Sequence, residues 1–203
     1  MKKFLTTTAI FLIASTSIVA ASSFSPVLDW MYSNGLTKYD NETDYRPNDS
    51  VTRGEIAKFF VQYAKYKNLT KGSTTCNFND IASYDSTLTP FITEACEFGL
   101  MKGSQGNFRP NANLTEAEAV TVIARTMFGL QNENGNPRWS EYYNIATTYN
   151  IISGRDVWAL DRKASRATVG TWLYNASTVD TTAAQNEGSE DVEKILEEIF
   201  GNL

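Results

Sequence analysis

The sequence predicts an all-α fold of three related units, and two observations lead to that prediction. The first is repetition, because RPNDSVTRGE at residues 46–55 returns as RPNANLTEAE at residues 109–118. A weaker third copy, ASRATVGTWL, stands at residues 164–173. Repetition of this kind indicates an architecture in which one structural unit is used several times.

The second observation is the spacing of apolar residues after each repeated phrase. They recur at i, i+3 and i+4, which indicates one buried face of an α-helix. No convincing strand pattern of period two is present, although NFRP or VWAL could form a short bridge. The three predicted buried faces are Ile56, Phe59 and Phe60, then Ala119, Val122 and Ile123, then Val169, Trp172 and Leu173.

Each unit is predicted to begin with a shorter helix. PVLDWMYSNGL at residues 26–36 matches PFITEACEFGL at residues 90–100. The proline that opens each phrase suits the first turn of a helix, and Gly35 and Gly99 suit the left-handed position that ends one. The alignment divides the chain into units at residues 22–70, 71–131 and 132–178.

The repeated phrase is predicted to start the longer helix of each unit. Thr52 with Glu55, and Thr115 with Glu118, have the spacing of a capping box, in which each side chain binds the other residue's backbone N–H. The third copy keeps the hydroxyl at Ser165 and lacks the glutamate. One reason for the repetition is therefore structural.

The cap does not explain the arginine that follows it. A cation at the first helical position lies beside the positive end of the helix dipole, which costs roughly 0.3–1 kcal/mol. Glu116 is the residue that stability alone favours there, whereas Arg53 and Arg166 suggest another purpose. Free N–H groups at a helix start, together with a guanidinium, suit a carboxylate or phosphate. The equally weighted alternative is an ion pair with an acid of a neighbouring unit.

Composition argues against several classes of function. The net charge of -5 comes from the six acids and one lysine of residues 187–203, so the rest of the chain is formally neutral and offers no basic field for nucleic acid. Histidine is absent, which removes the commonest general base and zinc ligand. We therefore expect a protein that is not an enzyme and needs no cofactor. The enzymatic alternative is a glycan hydrolase using Glu55 and Glu118, which the capping boxes already explain.

The start of the chain predicts export. Lys2 and Lys3 precede a mostly apolar stretch at residues 9–20, and small residues follow, so residues 1–21 are interpreted as a signal peptide. The alternative is a retained N-terminal anchor. After cleavage we expect no transmembrane segment. Cys76 and Cys96 are an even pair in an exported chain, which suggests a disulfide rather than a metal site.

The ordered motifs resemble the S-layer homology domain. The second copy carries them most fully, with FNDI at residues 78–81, FITEACEFGLMKG at residues 91–103 and NFRPNANLTEAEAVTVIAR at residues 107–125. The resemblance covers about residues 24–178. It implies three tandem domains arranged with pseudo-threefold symmetry around a central helical bundle. It also implies non-covalent attachment at the cell wall or cell surface, through a secondary wall polysaccharide bearing pyruvate ketals or through modified peptidoglycan.

The same resemblance implies a set of ligand-binding residues in grooves between neighbouring units. Arg53 and Arg166 match the family's arginine, which contacts the anionic ketal. Matching glycines would let the backbone approach the glycan. Trp30 is a candidate to stack on a sugar ring, and the alternative is a packing role in the core. The glycines concerned are Gly35, Gly99, Gly103 and Gly154.

The chain departs from the family pattern in three places. Glu116 puts an anion where the arginine is expected, so the groove built on the second copy is not expected to bind an acidic sugar. The first copy lacks a full F-x-D lead-in, and the third has no clear F-x-P. One or two working grooves are therefore expected rather than three.

The C-terminal segment offers a different interaction. Residues 179–189 have the composition of a linker, and residues 190–203 predict a short acidic amphipathic helix. This helix is expected to dock on its own body or to pair with a second copy or another exported protein. The rival function is therefore an exported scaffold that assembles or recruits partners through this tail. Its apolar face would be Val192, Ile195, Leu196 and Ile199.

Overall fold

A computed structural model describes residues 24–129, 134–153 and 157–180. The predicted signal peptide, the tail helix at residues 190–203 and Gly154 lie outside the described residues. Within those ranges the fold is all-α, as the sequence predicts, with seven α-helices and no strand. No helix in the same ranges is both long enough and apolar enough to cross a bilayer.

The α-helices of the described residues are α1 (Ser25–Ser33), α2 (Glu42–Tyr45), α3 (Arg53–Tyr66), α4 (Thr89–Glu97), α5 (Glu116–Phe128), α6 (Ser140–Thr148) and α7 (Arg166–Ser177). From α2 onwards short and long helices alternate, and each long helix packs against a short one. Helix α3 packs against α4, α5 against α6, and α7 against α1, while α5 also contacts α3 and α7. VWAL forms a 3-10 helix, Val157–Leu160, and not the short bridge suggested by its sequence.

The three predicted apolar faces form the core. All nine of their residues are buried, with no member more than 7% exposed. Because α3, α5 and α7 each present one such face, the long helices bury their apolar surface against each other and against the short helices. The predicted core positions are therefore confirmed.

The segments that precede the long helices are joined in a closed ring of backbone hydrogen bonds. The N–H of Val51 donates to the Ala164 carbonyl (3.1 Å), Ala164 donates to Leu114 (2.8 Å), and Leu114 donates to Val51 (2.9 Å). All three residues are completely buried. The ring joins the segments that lead into α3, α5 and α7, so the starts of the three long helices lie near one another. That the chain comprises three tandem repeat domains stays a prediction.

The capping boxes are confirmed. Thr52 and Thr115 each accept a hydrogen bond from the backbone N–H three residues on, and Glu55 and Glu118 return the bond to the cap. Ser165 caps α7 through its hydroxyl alone, accepting from the N–H of Thr168 at 3.0 Å. The local pattern therefore fixes where each long helix begins.

The left-handed turns that end the short helices are also confirmed. Gly35 and Gly99 have φ of +70° and +72°. Asn150 takes the same place after α6, with φ of +54°, because asparagine tolerates this conformation better than most side chains do. After each turn, the next N–H donates back into the helix, from Leu36 to Met31 and from Leu100 to Ala95.

The disulfide is confirmed. Cys76 and Cys96 are bonded with a Cα–Cα distance of 6.0 Å, and the bond ties the connection after α3 to the end of α4. Nearby, the N–H of Gly72 donates to the Glu97 carbonyl at 2.8 Å, and Lys71 pairs with the Glu97 carboxylate at 2.9 Å. The cross-link therefore reinforces a connection that a backbone hydrogen bond and an ion pair also hold against the end of α4.

Candidate functional site

Arg53 is buried at the start of α3, with 5% of its surface exposed. Its guanidinium donates to the Phe108 carbonyl through Nε (3.0 Å) and to the Lys102 carbonyl through Nη2 (2.9 Å). Nη1 forms a salt bridge with Glu118, and the guanidinium carbon lies 4.9 Å from the centre of the Phe108 ring. Of the two roles left open by the sequence, an ion pair is therefore present at Arg53, and its acid is Glu118 at the start of α5.

Burial lowers the pKa of the Arg53 guanidinium, and the adjacent Glu118 carboxylate opposes that effect. Arginine keeps its charge even when its pKa is depressed. The buried cation is therefore stabilised by the carboxylate and by two carbonyl dipoles. These partners also fix the loop between Lys102 and Phe108 against the start of α3.

The expectation of free N–H groups at the starts of α3 and α7 is wrong. The N–H groups of Arg53 and Gly54 donate to carbonyls of Ala112 and Pro110, both at 2.9 Å. At α7, the N–H of Arg166 donates to Asp49 (2.9 Å), and the next N–H donates to a proline carbonyl. The third N–H of each helix is taken by its cap. A neighbouring segment therefore fills the positions that an isolated helix would offer to an anion.

Arg166 is half-buried and differs from Arg53 in its partners. Its guanidinium lies 5.2 Å from the centre of the Tyr45 ring, and the Tyr45 hydroxyl donates to the Arg166 carbonyl at 3.1 Å. Burial raises the pKa of the Tyr45 phenol, and the Arg166 charge acts in the opposite direction. The Nε atom is buried without a hydrogen-bond partner in the described part of the chain. Arg166 thus keeps donor capacity that Arg53 has largely used within the protein.

Glu116 stands where Arg53 and Arg166 stand in the other long helices, and it is 2% exposed. Its carboxylate pairs with Nε of Arg162 at 2.8 Å, although the Arg162 side chain is 54% exposed. Burial raises the pKa of Glu116, and Arg162 holds it down. At the start of α5 the first helical residue is therefore the acid and its partner is the base. At the start of α3 the charges are the other way round, with Arg53 as the base and Glu118 as the acid.

The raised pKa of Glu116 predicts a stability effect that depends on pH. A group with a raised folded-state pKa contributes stability that is present below its unfolded-state pKa and is lost as the pH rises through the folded-state value. Because glutamine does not titrate, the Glu116→Gln variant does not lose this part of its stability as the pH rises. The free energy of unfolding of the variant, measured relative to the wild type by urea denaturation, is expected to rise as the pH increases from about 4 through the raised folded-state pKa of Glu116.

Arg162→Ala is the matched control for that prediction. Because Arg162 holds the pKa of Glu116 down, its removal is expected to steepen the loss of stability with rising pH. A variant-minus-wild-type difference for Glu116→Gln that falls with rising pH would contradict the assignment.

A cavity of about 370 Å³ lies beside Arg53, between α5, α6 and the segment after α4. We call it the Arg53 cavity. Its lining includes four cationic and two anionic side chains, together with two aromatic ones that α6 and the residue before it contribute. These residues are Arg53, Lys102, Arg125, Arg138, Glu118, Asp161, Trp139 and Tyr142.

The basic residues of the Arg53 cavity come from separate parts of the chain. Arg125 projects from α5, where its Nη1 donates to the Leu100 carbonyl at 2.7 Å and its guanidinium lies 5.2 Å from the Tyr142 ring centre. Lys102 and Arg138 are exposed at its edge. The excess of cations gives the cavity a positive potential suited to an anionic ligand.

Most of these residues were missed by reasoning from the sequence. Lys102 lies within the repeated GLMKG motif, which was a usable signal. Arg125 follows the apolar stripe of α5 and was interpreted only as part of that helix. Arg138 and Trp139 lie in a connection with no motif, so nothing in the sequence marked them.

The glycines predicted to approach a glycan have different surroundings. Open space surrounds the position of a Cβ at Gly35 and at Gly99. Gly103 lines the Arg53 cavity, and a Cβ there would lie 2.5 Å from the Phe78 ring and 2.7 Å from the Asn107 carbonyl oxygen. Close packing inside the protein therefore already accounts for a glycine at position 103.

Trp30 belongs to an aromatic cluster. Its ring meets those of Tyr66 (5.9 Å) and Tyr174 (5.5 Å) edge to face. Trp30 is partly buried, Tyr66 is 39% exposed, and neither lines the Arg53 cavity. This geometry accounts for Trp30 as a packing residue between α1, α3 and α7, and a sugar-stacking role stays a prediction.

Asp80 has a role that the sequence did not reveal. Its carboxylate accepts hydrogen bonds from the backbone N–H groups of Phe108 (2.8 Å) and Arg109 (2.7 Å), and these bonds lower its pKa although partial burial works against them. Arg109 has φ of +62°. The FNDI motif therefore holds the FRP turn in the conformation that presents the Phe108 carbonyl to Arg53.

Comparison with known proteins supports the resemblance. Residues 77–120 match the family model of the S-layer homology domain. A surface-layer 125 kDa protein of Lysinibacillus sphaericus is 27% identical over 109 residues, which is 52% of this chain and 9% of that protein. The prediction of the domain is confirmed for residues 77–120.

Two further relatives have enzyme names. An amylopullulanase of Thermoanaerobacterium thermosulfurigenes is 26% identical over 144 residues, covering 71% of this chain and 7% of the enzyme. An uncharacterized cell wall amidase of Bacillus anthracis is 26% identical over 102 residues, covering 50% of this chain and 19% of that protein. The chain thus spans less than a fifth of the length of any of these three relatives.

Proposed function

We propose that the chain is a non-covalent anchoring module that binds an anionic polymer of the cell wall at the cell surface. The ligand in this proposal is a secondary wall polysaccharide, of which a pyruvylated form fits best, or modified peptidoglycan. One observation carries the proposal: the segment that matches the S-layer homology domain also supplies Lys102, Gly103 and Glu118 to the Arg53 cavity.

The arrangement of charge supports an anionic ligand. Lys102 and Arg138 lie exposed at the edge of the cavity, where they can contact a carboxylate directly. Arg53 lies deeper, and its charge is shared with Glu118 and two carbonyls. We therefore assign the first contact to the exposed cations, with Arg53 supplying buried positive charge and holding the loop that carries Lys102. Arg166, which is half-buried at the start of α7, is the second proposed anion contact.

A non-enzymatic role fits the carboxylates of the site. Glu55 accepts from the N–H of Thr52 at 2.9 Å, and Glu118 accepts from the N–H of Thr115 at 3.0 Å. Glu118 also pairs with Arg53. Both carboxylates that a hydrolase would need are thus engaged in holding helix starts. The enzyme names of relatives describe proteins of which this chain covers only a small part.

Binding to isolated cell-wall sacculi of the source organism tests the proposal. The double variant Lys102→Glu with Arg138→Glu is expected to weaken binding by at least about tenfold, because two attractive contacts become repulsive. Mild acid treatment that removes pyruvate from the sacculi is expected to weaken wild-type binding to a similar extent. Co-sedimentation at several protein concentrations measures both effects.

Lys67→Glu is the control for the charge reversal. Lys67 follows α3, whose 14 residues place it about 21 Å from Arg53. This variant is expected to bind like the wild type. Deletion of residues 187–203 is also expected to leave binding to sacculi intact. If the deletion abolishes assembly but not this binding, the tail is a site for a partner. Failure of the wild-type chain to sediment with sacculi would refute the anchoring function.

A further inference from the structure

A second cavity, of about 520 Å³, lies between α7 and the residues that follow α6. We call it the α7 cavity. One side is formed by consecutive turns of α7, and the other by the turn at Asn150 and the residues after it. Its polar and aromatic lining consists of Asn150, Ser153, Thr168, Thr171, Trp172 and Asn175.

The α7 cavity is built like the Arg53 cavity. Thr121 and Arg125 on α5 line the first cavity, and Thr171 and Asn175, each 50 residues further along the chain, line the second. Arg125 donates to the Leu100 carbonyl at 2.7 Å, and Asn175 donates to the Ile151 carbonyl at 2.9 Å. The two cavities therefore occupy corresponding places on two long helices.

Their chemistry is different. The lining of the α7 cavity contains no charged side chain among the described residues, while that of the Arg53 cavity contains six. Asn175 replaces Arg125, and Thr168 replaces Glu118. Glu116 replaces Arg53 in the neighbouring long helix, and Arg162 holds its buried carboxylate. The same framework thus presents hydroxyl and amide groups where the first cavity presents ions.

We propose that the α7 cavity binds an uncharged saccharide unit of the wall polymer, an inference that rests on the proposed anchoring function. Hydroxyl and amide side chains donate and accept hydrogen bonds, as sugar hydroxyls require. None of the described residues that line the cavity offers a cation to a carboxylate, so the described lining suits a neutral sugar better than an acidic one.

The proposal gives the two cavities complementary tasks. An anionic unit binds in the Arg53 cavity, and a neutral unit of the same polymer binds in the α7 cavity. Because the helices that carry the two cavities, α5 and α7, pack against each other, occupation of the first cavity raises the effective concentration of polymer at the second. The chain would then discriminate a polymer with both kinds of unit from one that carries charge alone.

A matched pair of variants tests this assignment. Thr171→Tyr fills the α7 cavity, and Thr121→Tyr places the same side chain at the corresponding position of the Arg53 cavity. Both threonines are half-buried helical residues, so their effects on folding are comparable. Circular dichroism establishes that each full-length variant is folded. The two probes are untreated sacculi and sacculi freed of pyruvate by mild acid.

On acid-treated sacculi, the wild type is expected to retain weak binding, which Thr171→Tyr reduces by about tenfold and Thr121→Tyr leaves unchanged. On untreated sacculi, Thr121→Tyr is expected to cause the larger loss. If the wild type does not bind acid-treated sacculi, or if Thr171→Tyr does not weaken that binding, the proposal of a neutral-saccharide site is overturned. The anchoring function is unaffected by either result. Absence of wild-type binding to untreated sacculi instead overturns the anchoring function.

Discussion

Replacing Arg53 by alanine is expected to lower the free energy of unfolding by about 3–5 kcal/mol, since removal of one partner leaves the other without compensation. The loss includes the salt bridge to Glu118 and the bonds to the Lys102 and Phe108 carbonyls. The Arg53 side chain is only 6% exposed, so water cannot replace these partners without rearrangement. Urea denaturation followed by circular dichroism measures the change.

Arg166→Ala is the matched control, because Arg166 occupies the same helical position in α7 but is only half-buried. Its replacement is expected to cost about 1 kcal/mol, as is usual for a single substitution outside the core. The double variant Arg53→Ala with Glu118→Gln should be more stable than Arg53→Ala alone, because it no longer contains a carboxylate that has lost its partner. Equal costs for the two arginine replacements would contradict the structural role of Arg53.

This expectation changes how binding data on Arg53 should be interpreted. A weaker interaction of Arg53→Ala with sacculi would follow from the displaced Lys102 loop even if Arg53 never touched the ligand. Lys102 and Arg138 are exposed, and their replacement reports on the cavity with less effect on folding. Charge reversal at these two residues is therefore the better test of the site.

Removing the disulfide is expected to destabilise the fold by about 3 kcal/mol. The bond closes a loop between residues separated by 20 positions, and the cross-link restricts the unfolded chain by roughly that amount. For a chain of this size, the melting temperature of the Cys76→Ser, Cys96→Ser double variant should fall by about 6–12 °C. Differential scanning calorimetry under oxidising conditions measures the shift.

Reduction of the wild-type protein provides the control for the serine substitutions. The reduced wild type and the double variant are expected to melt at similar temperatures, because neither carries the cross-link. If the double variant melted at the same temperature as the oxidised wild type, the contacts of Gly72 and Lys71 would be sufficient to hold the connection between α3 and α4. Sacculi binding below the melting transition is expected to survive, since the disulfide lines neither cavity.

The local elements were predictable because their causes lie within a few residues. The capping pairs Thr52 with Glu55 and Thr115 with Glu118 act across one helical turn. The buried stripes follow from helical periodicity, and the turns at Gly35 and Gly99 follow from the freedom of glycine at positive φ. The Cys76–Cys96 pairing was predictable because the chain contains just two cysteines.

The partners of charged residues were not predictable in the same way. The sequence left Arg53 equally suited to a ligand or to a neighbouring acid, and Glu118, which decides between them, lies 65 residues away. The N–H groups at the helix starts appeared free because their acceptors, including the Ala112 and Asp49 carbonyls, belong to distant segments. Only the closed backbone ring brings these groups together.

The sequence by itself determined the helical fold class, the positions of the helix starts, the core faces and the disulfide. It also carried the family resemblance, which the family model confirms at residues 77–120. The tertiary structure alone decided which arginine is buried, which acid it meets, and how Arg125, Arg138 and Tyr142 come to line one cavity. The physical reason is range: capping and periodicity act between neighbours in the chain, while burial, charge pairing and cavity shape depend on segments that only folding brings into contact.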